Sequence, residues 1–229
     1  RGLGDVYKRQ MANRYVLKFT KNGYAKYTSH LDMLRFFKRA FRKSGISLRY
    51  SQGFNPHPKM SFAQPLSLGY SSSFELLEFE TEMKHEANQI YEMLCEEMPE
   101  GMKIEWVKPF DCSVKSLAAA ADSAEYEAKL PFSAGQSALD KLVSDYLAQD
   151  EIIALKRRKK DKKMVPADIK KMIRRFAAKA DGDITVLEME LDCGSVSNCS
   201  PELVLSSFLQ FAGWDIPRYK IDVERKKIK

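Results

Sequence analysis

The chain is short of the residues on which most enzymes build their chemistry. Its 229 residues include three histidines and four cysteines. Cys95, Cys112, Cys193 and Cys199 never stand as a Cys-x-x-Cys pair, and they form no triad suited to an iron–sulfur cluster. Cysteines scattered in this way read as reduced, mostly structural thiols in a cytoplasmic protein. His30 and His57 have no cysteine or carboxylate pair at ligand spacing, so no zinc set stands out. There is no GxxxxGKS/T phosphate loop and no Gly-x-Ser-x-Gly elbow. These absences count against an ATPase, a serine hydrolase and a self-contained radical enzyme. No apolar run approaches the ~20 residues that a membrane span needs, and no signal peptide is visible.

What is present is a full core and an uneven positive charge. Apolar residues make up 44% of the chain and the formal net charge is +7. The length suits one large domain or two of about 110 residues. Residues 1–10, RGLGDVYKRQ, resemble translated adapter sequence ahead of Met11 and are read as a non-native leader. Arg14–Thr20 then alternates as a strand, and Lys21-Asn22-Gly23 is a turn signal. Ser29 can cap a helix from His30 to Ser44, with Asp32 in its first turn and Gly45 at its stop. Ser47–Tyr50 reads as a short strand that Met60–Ala63 extends. Phe74–Glu82 is a strand, Glu86–Met98 a helix and Met102–Phe110 a strand.

That order is the βαββαβ unit of ferredoxin-like folds. It recurs with strands at Ala124–Leu130, Glu151–Lys156, Ile184–Leu191 and Arg218–Glu224, and helices at Gly135–Ala148 and Pro201–Ala212. The expectation is an α+β protein of two tandem ferredoxin-like domains, 11–112 and 124–229, joined by a linker at 113–123. The second carries a basic insertion, Arg157–Asp183, in its middle hairpin. Helical spacing over Ala167–Lys179 predicts a helix inside that insertion.

Three features point to a site. Tyr50–Gly69 is long for a connection, and long structureless connections are often functional. It holds Ser51, Gln52, Asn55, His57 and Lys59, and Pro56, Pro58 and Pro65 stiffen its path. The second feature is a stripe of Arg35, Lys38, Arg39 and Arg42 along one side of the first helix. It reads either as a solvated outer face or as a phosphate-binding surface. The third is the helix entrance, where His30 and Asp32 sit beside free N–H groups that attract anions. A histidine there could cap the helix or exchange protons. Lys156–Lys163, KRRKKDKK, has seven positive charges in eight residues. It reads as a solvated hairpin tip or as a sequence-independent nucleic-acid contact through Lys156, Arg157, Arg158, Lys159 and Lys160.

Ser29-His30-Leu31-Asp32, then Arg35 and Arg39, then Tyr50-Ser51-Gln52-Gly53-Phe54-Asn55-Pro56-His57-Pro58-Lys59 resemble the bacterial radical-SAM-linked protein family, a domain of unknown function. Asp168-Ile169-Lys170 is similar to that family's short motif after the middle hairpin. The resemblance implies an accessory protein encoded beside, or fused to, a radical SAM enzyme, with or without a cobalamin-binding domain. The iron–sulfur cluster and S-adenosylmethionine are then expected on the partner, with no cofactor on this chain.

Two functional readings differ in class. As a non-catalytic module, the chain binds RNA or an RNA–protein target through His30, Asp32, Arg35, Arg39, Ser51, Gln52, Asn55, His57 and Lys59, and presents it for modification. As an enzyme, it is a metal-independent endoribonuclease with His30, His57 and Lys59 supplying acid, base and cation around one phosphate. An adaptor with no ligand of its own is the plainest alternative.

Overall fold

Alternation builds the sheet of the first unit. In β1 (Asn13–Lys21) the period of two turns Tyr15, Leu17, Phe19 and Lys21 to one face, and all four are buried. In β3 (Ser71–Thr81) the same rule buries Glu75, Leu77, Phe79 and Thr81. The computed structural model describes residues 13–111, 116–158, 161, 163–194 and 196–229. The chain divides into two units, Arg1–Ala121 and Asp122–Lys229. The leader expected at 1–10, the domain boundary expected at 112/113, and Cys112, Lys159 and Lys160 lie outside the described residues.

β1 pairs antiparallel with β3 and with β4 (Met102–Pro109), and β3 pairs antiparallel with β2 (Met60–Phe62). The strand order of the first unit is therefore β4-β1-β3-β2. Two helices contribute to the same core, α1 (His30–Lys43) and α2 (Ala87–Cys95). Phe37 and Phe41 of α1 have no exposed surface. Phe37 stands edge-on to Phe19 at 5.1 Å and 5.9 Å from Phe62, and Phe41 lies 4.6 Å from Phe79. Burying each ring stabilises the unit by about 2 kcal/mol. The expected strand Ser47–Tyr50 reduces to two isolated bridges, Leu48 to Thr81 and Tyr50 to Pro58. Met60–Phe62 carries the regular pairing instead. A short helix, α3 (Leu117–Ala120), follows β4 near the end of the unit, and the Leu117 N–H donates to Glu78 at 2.9 Å.

In the second unit, β5 (Ser123–Leu130) pairs antiparallel with β10 (Asp222–Ile228) and with β9 (Ile184–Asp192), and β9 pairs with β8 (Ile173–Asp181). The order is β10-β5-β9-β8. The helices are α4 (Gln136–Ala148) and α5 (Pro201–Ala212). Both units are mixed α+β with antiparallel sheets.

Three expectations for this unit are corrected. The segment expected as the second main strand, Glu151–Lys156, does not join the β10-β5-β9-β8 sheet. Its residues enter β6 (Ile153–Arg157), which pairs only with β7 (Met164–Asp168) in a separate two-stranded hairpin. The strand that completes the main sheet is β8, which overlaps the stretch expected to be helical. The described cations of the basic block, Lys156, Arg157, Arg158 and Lys163, therefore belong to an inserted hairpin between α4 and β8, not to the β8–β9 hairpin. Alanines at 167, 177, 178 and 180 give the stretch its helical look, yet Phe176 and Ala178 are buried alternately with exposed Arg175 and Lys179. Ion pairs from Arg175 and Lys179 to Glu188 on β9 favour the strand. The last strand also begins later than Arg218. The Arg218 guanidinium grips Glu202 at 2.7–2.9 Å and donates to the Ile221 carbonyl, closing a 3-10 turn over Arg218–Lys220.

Asp168 explains why the inserted hairpin has a defined base. Its carboxylate accepts the backbone N–H groups of Ile152 and Lys170, both at 3.0 Å, and Ile169 between them is fully buried. The Lys170 ammonium donates to the Gln149 carbonyl. The N–H of Lys170 and then that of Ile152 hold the Asp168 carboxyl below its ordinary range. A depressed carboxylate contributes stability above its unfolded pKa of about 3.9, and the contribution is lost as pH falls through the lower folded value. Replacing Asp168 with Ala should accelerate amide hydrogen exchange at Ile152 and Lys170 at pH 7 while leaving β5 and β9 protected. In the parent protein the same two amides should lose protection selectively below pH 4. Unchanged exchange at both would contradict the clasp.

Candidate nucleic-acid interface

α1 begins at a serine cap. The Ser29 Oγ accepts the Asp32 N–H at 3.2 Å and donates to the Asp32 carboxylate at 2.7 Å. Arg35 Nη1 donates to the other Asp32 oxygen at 3.0 Å. The Ser29 hydroxyl and then the Arg35 guanidinium hold the Asp32 carboxyl below its ordinary range. Arg35 thus has an acidic partner on its own helix. Lys43 has one in Glu97, at 2.8 Å. Lys38, Arg39 and Arg42 are exposed and form no ion pair among the described residues. The free part of the stripe is these three cations.

The loop after α1 is a closed tip. The Ser51 N–H donates to the His57 carbonyl at 2.8 Å, and the His57 N–H donates to Ser51 Oγ at 2.9 Å. Tyr50 and Pro58 bridge just below. Gln52, Phe54 and Asn55 are held out into solvent, and the Phe54 ring is fully exposed. Lys59 pairs with Glu80 at 3.0 Å, and Arg49 approaches the same carboxylate at 3.6 Å. No hydrogen bond or ring contact joins His30, His57 and Lys59 among the described residues.

Two recesses flank α1. The larger, about 440 Å³, lies at its C-terminal half between Lys38, Phe41 and Arg42 on one side and Ser47, Leu48, Tyr50 and the carboxylate-bearing Glu82 on the other. Lys38 Nζ stands 5.9 Å from the centre of the Tyr50 ring, within cation–π range. The smaller, about 20 Å³, lies at the helix entrance. His30 and Met33 meet Phe19 and Lys21 of β1, Glu75 of β3, and Phe62, Gln64 and Leu66 of the 50–69 segment there. The His30 ring stands edge-on to Phe62 at 5.3 Å. The helix entrance and the 50–69 segment thus line two recesses. The downstream part of the segment meets the helix entrance, and Tyr50 meets the helix two turns further on.

Sequence reading missed Lys21, Glu75 and Tyr50. Lys21 and Glu75 were legible as charged residues at inward positions of otherwise apolar alternating strands. A third recess, about 620 Å³, lies between β1 and the start of α2, beside Arg14, Lys84, His85 and Asn88. Its Arg14 is committed to Glu78 at 2.6 Å and to the face of Phe110 at 4.4 Å. In the second unit, burial pushes the Cys199 thiol up to about 12 and raises that of Cys193, as for inert thiols. Lys156, Arg157, Arg158 and Lys163 flank the tip of the inserted hairpin, where the Arg158 N–H donates to the Lys163 carbonyl at 2.8 Å. Among the described residues, no group of three or more His, Cys, Asp or Glu is placed to hold a metal ion, and no helix is long and apolar enough to cross a membrane.

A mixed α+β protein with antiparallel sheets, carrying an exposed cationic helix beside a stiff loop, is the class that fold and site define. The chain belongs to DUF2344, described as an uncharacterized protein conserved in bacteria, and the family profile matches residues 14–201. That span includes α1, the loop after it and the inserted hairpin. Among solved structures the chain is similar to one chain of the Cbf5–Nop10–Gar1 complex, with TM-score 0.51 and 9% identity over 97% of this chain. It spans 50% of that chain, and at this identity the likeness concerns the fold alone. An unknown protein from Galdieria sulphuraria aligns with 93% of this chain and 98% of its own at 10% identity. Its TM-score of 0.26 carries no argument. No curated protein matches.

The cap is directly testable. Ser29→Ala should destabilise the protein by about 1 kcal/mol in urea unfolding at pH 7. Part of that difference should fade below pH 4, where protonation of Asp32 already removes its share in the parent. Equal stability of parent and variant at pH 7 would contradict the cap.

Proposed function

We propose that this chain is a non-catalytic RNA-binding accessory protein, with the principal contact on α1 and the 47–57 loop of the first unit. The observation that carries the reading is the trio Lys38, Arg39 and Arg42, exposed and without ion pairs among the described residues, beside a recess walled by Tyr50. Single-stranded nucleic acids are bound by such combinations, cations following the phosphates and aromatic faces taking the bases. The recess is of a size that ligand pockets have, and Phe54 offers a second stacking face at the loop tip. The cations of the inserted hairpin add backbone contacts without sequence preference.

The proposal includes the architecture and the partner. The orders β4-β1-β3-β2 and β10-β5-β9-β8 support two ferredoxin-like units, each βαββαβ, with the basic hairpin inserted in the second. The resemblance of the helix and loop motifs to the radical-SAM-linked family supports a radical SAM enzyme as partner, holding the iron–sulfur cluster and S-adenosylmethionine. Co-purification with a radical SAM enzyme encoded beside this chain, followed by sequencing of retained RNA, tests the partnership. A failure to associate would end that part.

The electrostatic core of the reading has its own test. Replacing Lys38, Arg39 and Arg42 together with Ala should weaken binding of a single-stranded RNA at least tenfold at 100 mM salt. It should also flatten the slope of log K against log salt by about 2, at roughly 0.7 for each phosphate left without its cation. The same affinity and slope in parent and variant would rule it out.

A further inference from the structure

The small recess at the entrance of α1 sets charged and polar groups among apolar ones. β1 and β3 point apolar side chains inward along most of their length, yet Lys21 and Glu75 take inward places and are 3% and 4% exposed. Burying charge is costly unless partners compensate it. Lys21 Nζ donates to the Thr28 carbonyl at 2.8 Å. A carboxylate such as that of Glu75 has about four lone-pair sites and so accepts more than one donor. Beside them the half-buried His30 imidazole rests on Phe62 and makes no hydrogen bond among the described residues. A neutral imidazole has one donor and one acceptor nitrogen. The other walls are the apolar Phe19, Met33, Phe62 and Leu66 and the polar Gln64. In binding sites a small number of polar groups among apolar walls fixes the orientation of the ligand.

Its size limits the ligand. About 20 Å³ holds roughly one water molecule, so neither a base nor a phosphate enters. A hydroxyl does. We infer that this recess receives the ribose 2′-hydroxyl of one nucleotide of the bound strand, and that it selects RNA over DNA. The hydroxyl donates to Glu75 or to the acceptor nitrogen of His30 and accepts from the donor nitrogen of His30 or from Lys21. It is both donor and acceptor, and it is the group that separates RNA from DNA at a given site. The recess lies about 12 Å from Lys38 along the axis of α1, eight residues at the helical rise, so one strand can follow the helix past both. The inference rests on the proposal that RNA follows α1. It adds a selectivity that the cations, which meet phosphates common to both nucleic acids, do not supply.

The test compares three oligonucleotides of one sequence on the full chain: single-stranded RNA, its DNA counterpart and its 2′-O-methyl form. Fluorescence anisotropy at fixed salt is the readout. RNA should bind about tenfold more tightly than either of the others, the worth of one hydrogen-bonded group. His30→Ala should weaken RNA alone and bring the three together. Lys38→Ala should weaken all three in proportion. His30 is partly exposed and lies outside the buried core, so its replacement spares that core. The substitutions on the oligonucleotide need no protein variant at all. Equal binding of RNA and DNA by the parent, or an unchanged ratio in His30→Ala, would overturn the inference while leaving the cationic track in place. Absence of binding to all three would overturn both.

Discussion

The packing of α1 on the sheet through Phe37 and Phe41 is the contact on which the rest depends. Both rings are fully buried, against Phe19 of β1, Phe62 of β2 and Phe79 of β3. An amphipathic helix held by one face has its opposite face fixed as well. With Phe37 and Phe41 inward, Lys38, Arg39 and Arg42 are turned to solvent. The same rings hold Phe62, and through Phe62 the chain that follows the loop is brought to His30. Loss of this aromatic cluster would release the helix and both recesses together.

Polar groups in the first unit fall into two kinds. Some are neutralised locally. Arg35 is held by Asp32, Lys43 by Glu97, Lys59 by Glu80 and Arg14 by Glu78. Arg14 and Glu78 are largely buried, and the other three pairs, each with an exposed partner, contribute little to stability, about 0–1 kcal/mol. They do lower the positive potential where they stand. What remains uncompensated on α1 lies in its middle and second half, beside an aromatic ring. That localisation separates a binding face from a generally basic surface. Lys21 and Glu75 are the other kind, charged groups placed inward at the rim of a core.

Much of the fold was legible in the sequence because its signals are periodic. Tyr15, Leu17 and Phe19 announce β1, and Ser29 with Asp32 announces the start of α1 to the residue. Leu77 and Phe79 announce β3. The second unit was harder to read where alanine dominates. Ala177 and Ala178 suit a helix by propensity, and only pairing with Glu188 and burial of Phe176 make them a strand. That is tertiary context overriding local preference. Asp168 looked like part of a motif, but its role in joining the nearby Lys170 N–H to the distant Ile152 N–H depends on folded geometry. The site was half visible. The cations and the prolines stood out by type and spacing. The division into two recesses did not, because it depends on which part of a twenty-residue segment returns to the helix entrance. Lys21 and Glu75 carried a signal that went unread, a charge in phase with a buried face.

The central claim is that a single-stranded RNA lies along the outer face of α1 and the loop that follows it. Amide hydrogen exchange of the full chain, with and without saturating single-stranded RNA, measures this directly. The account predicts new protection in α1 and in residues 47–57, with α2 and the β10-β5-β9-β8 sheet unchanged. Protection confined to other elements, such as the start of α2 at Ala87, or no new protection at saturation, would contradict it.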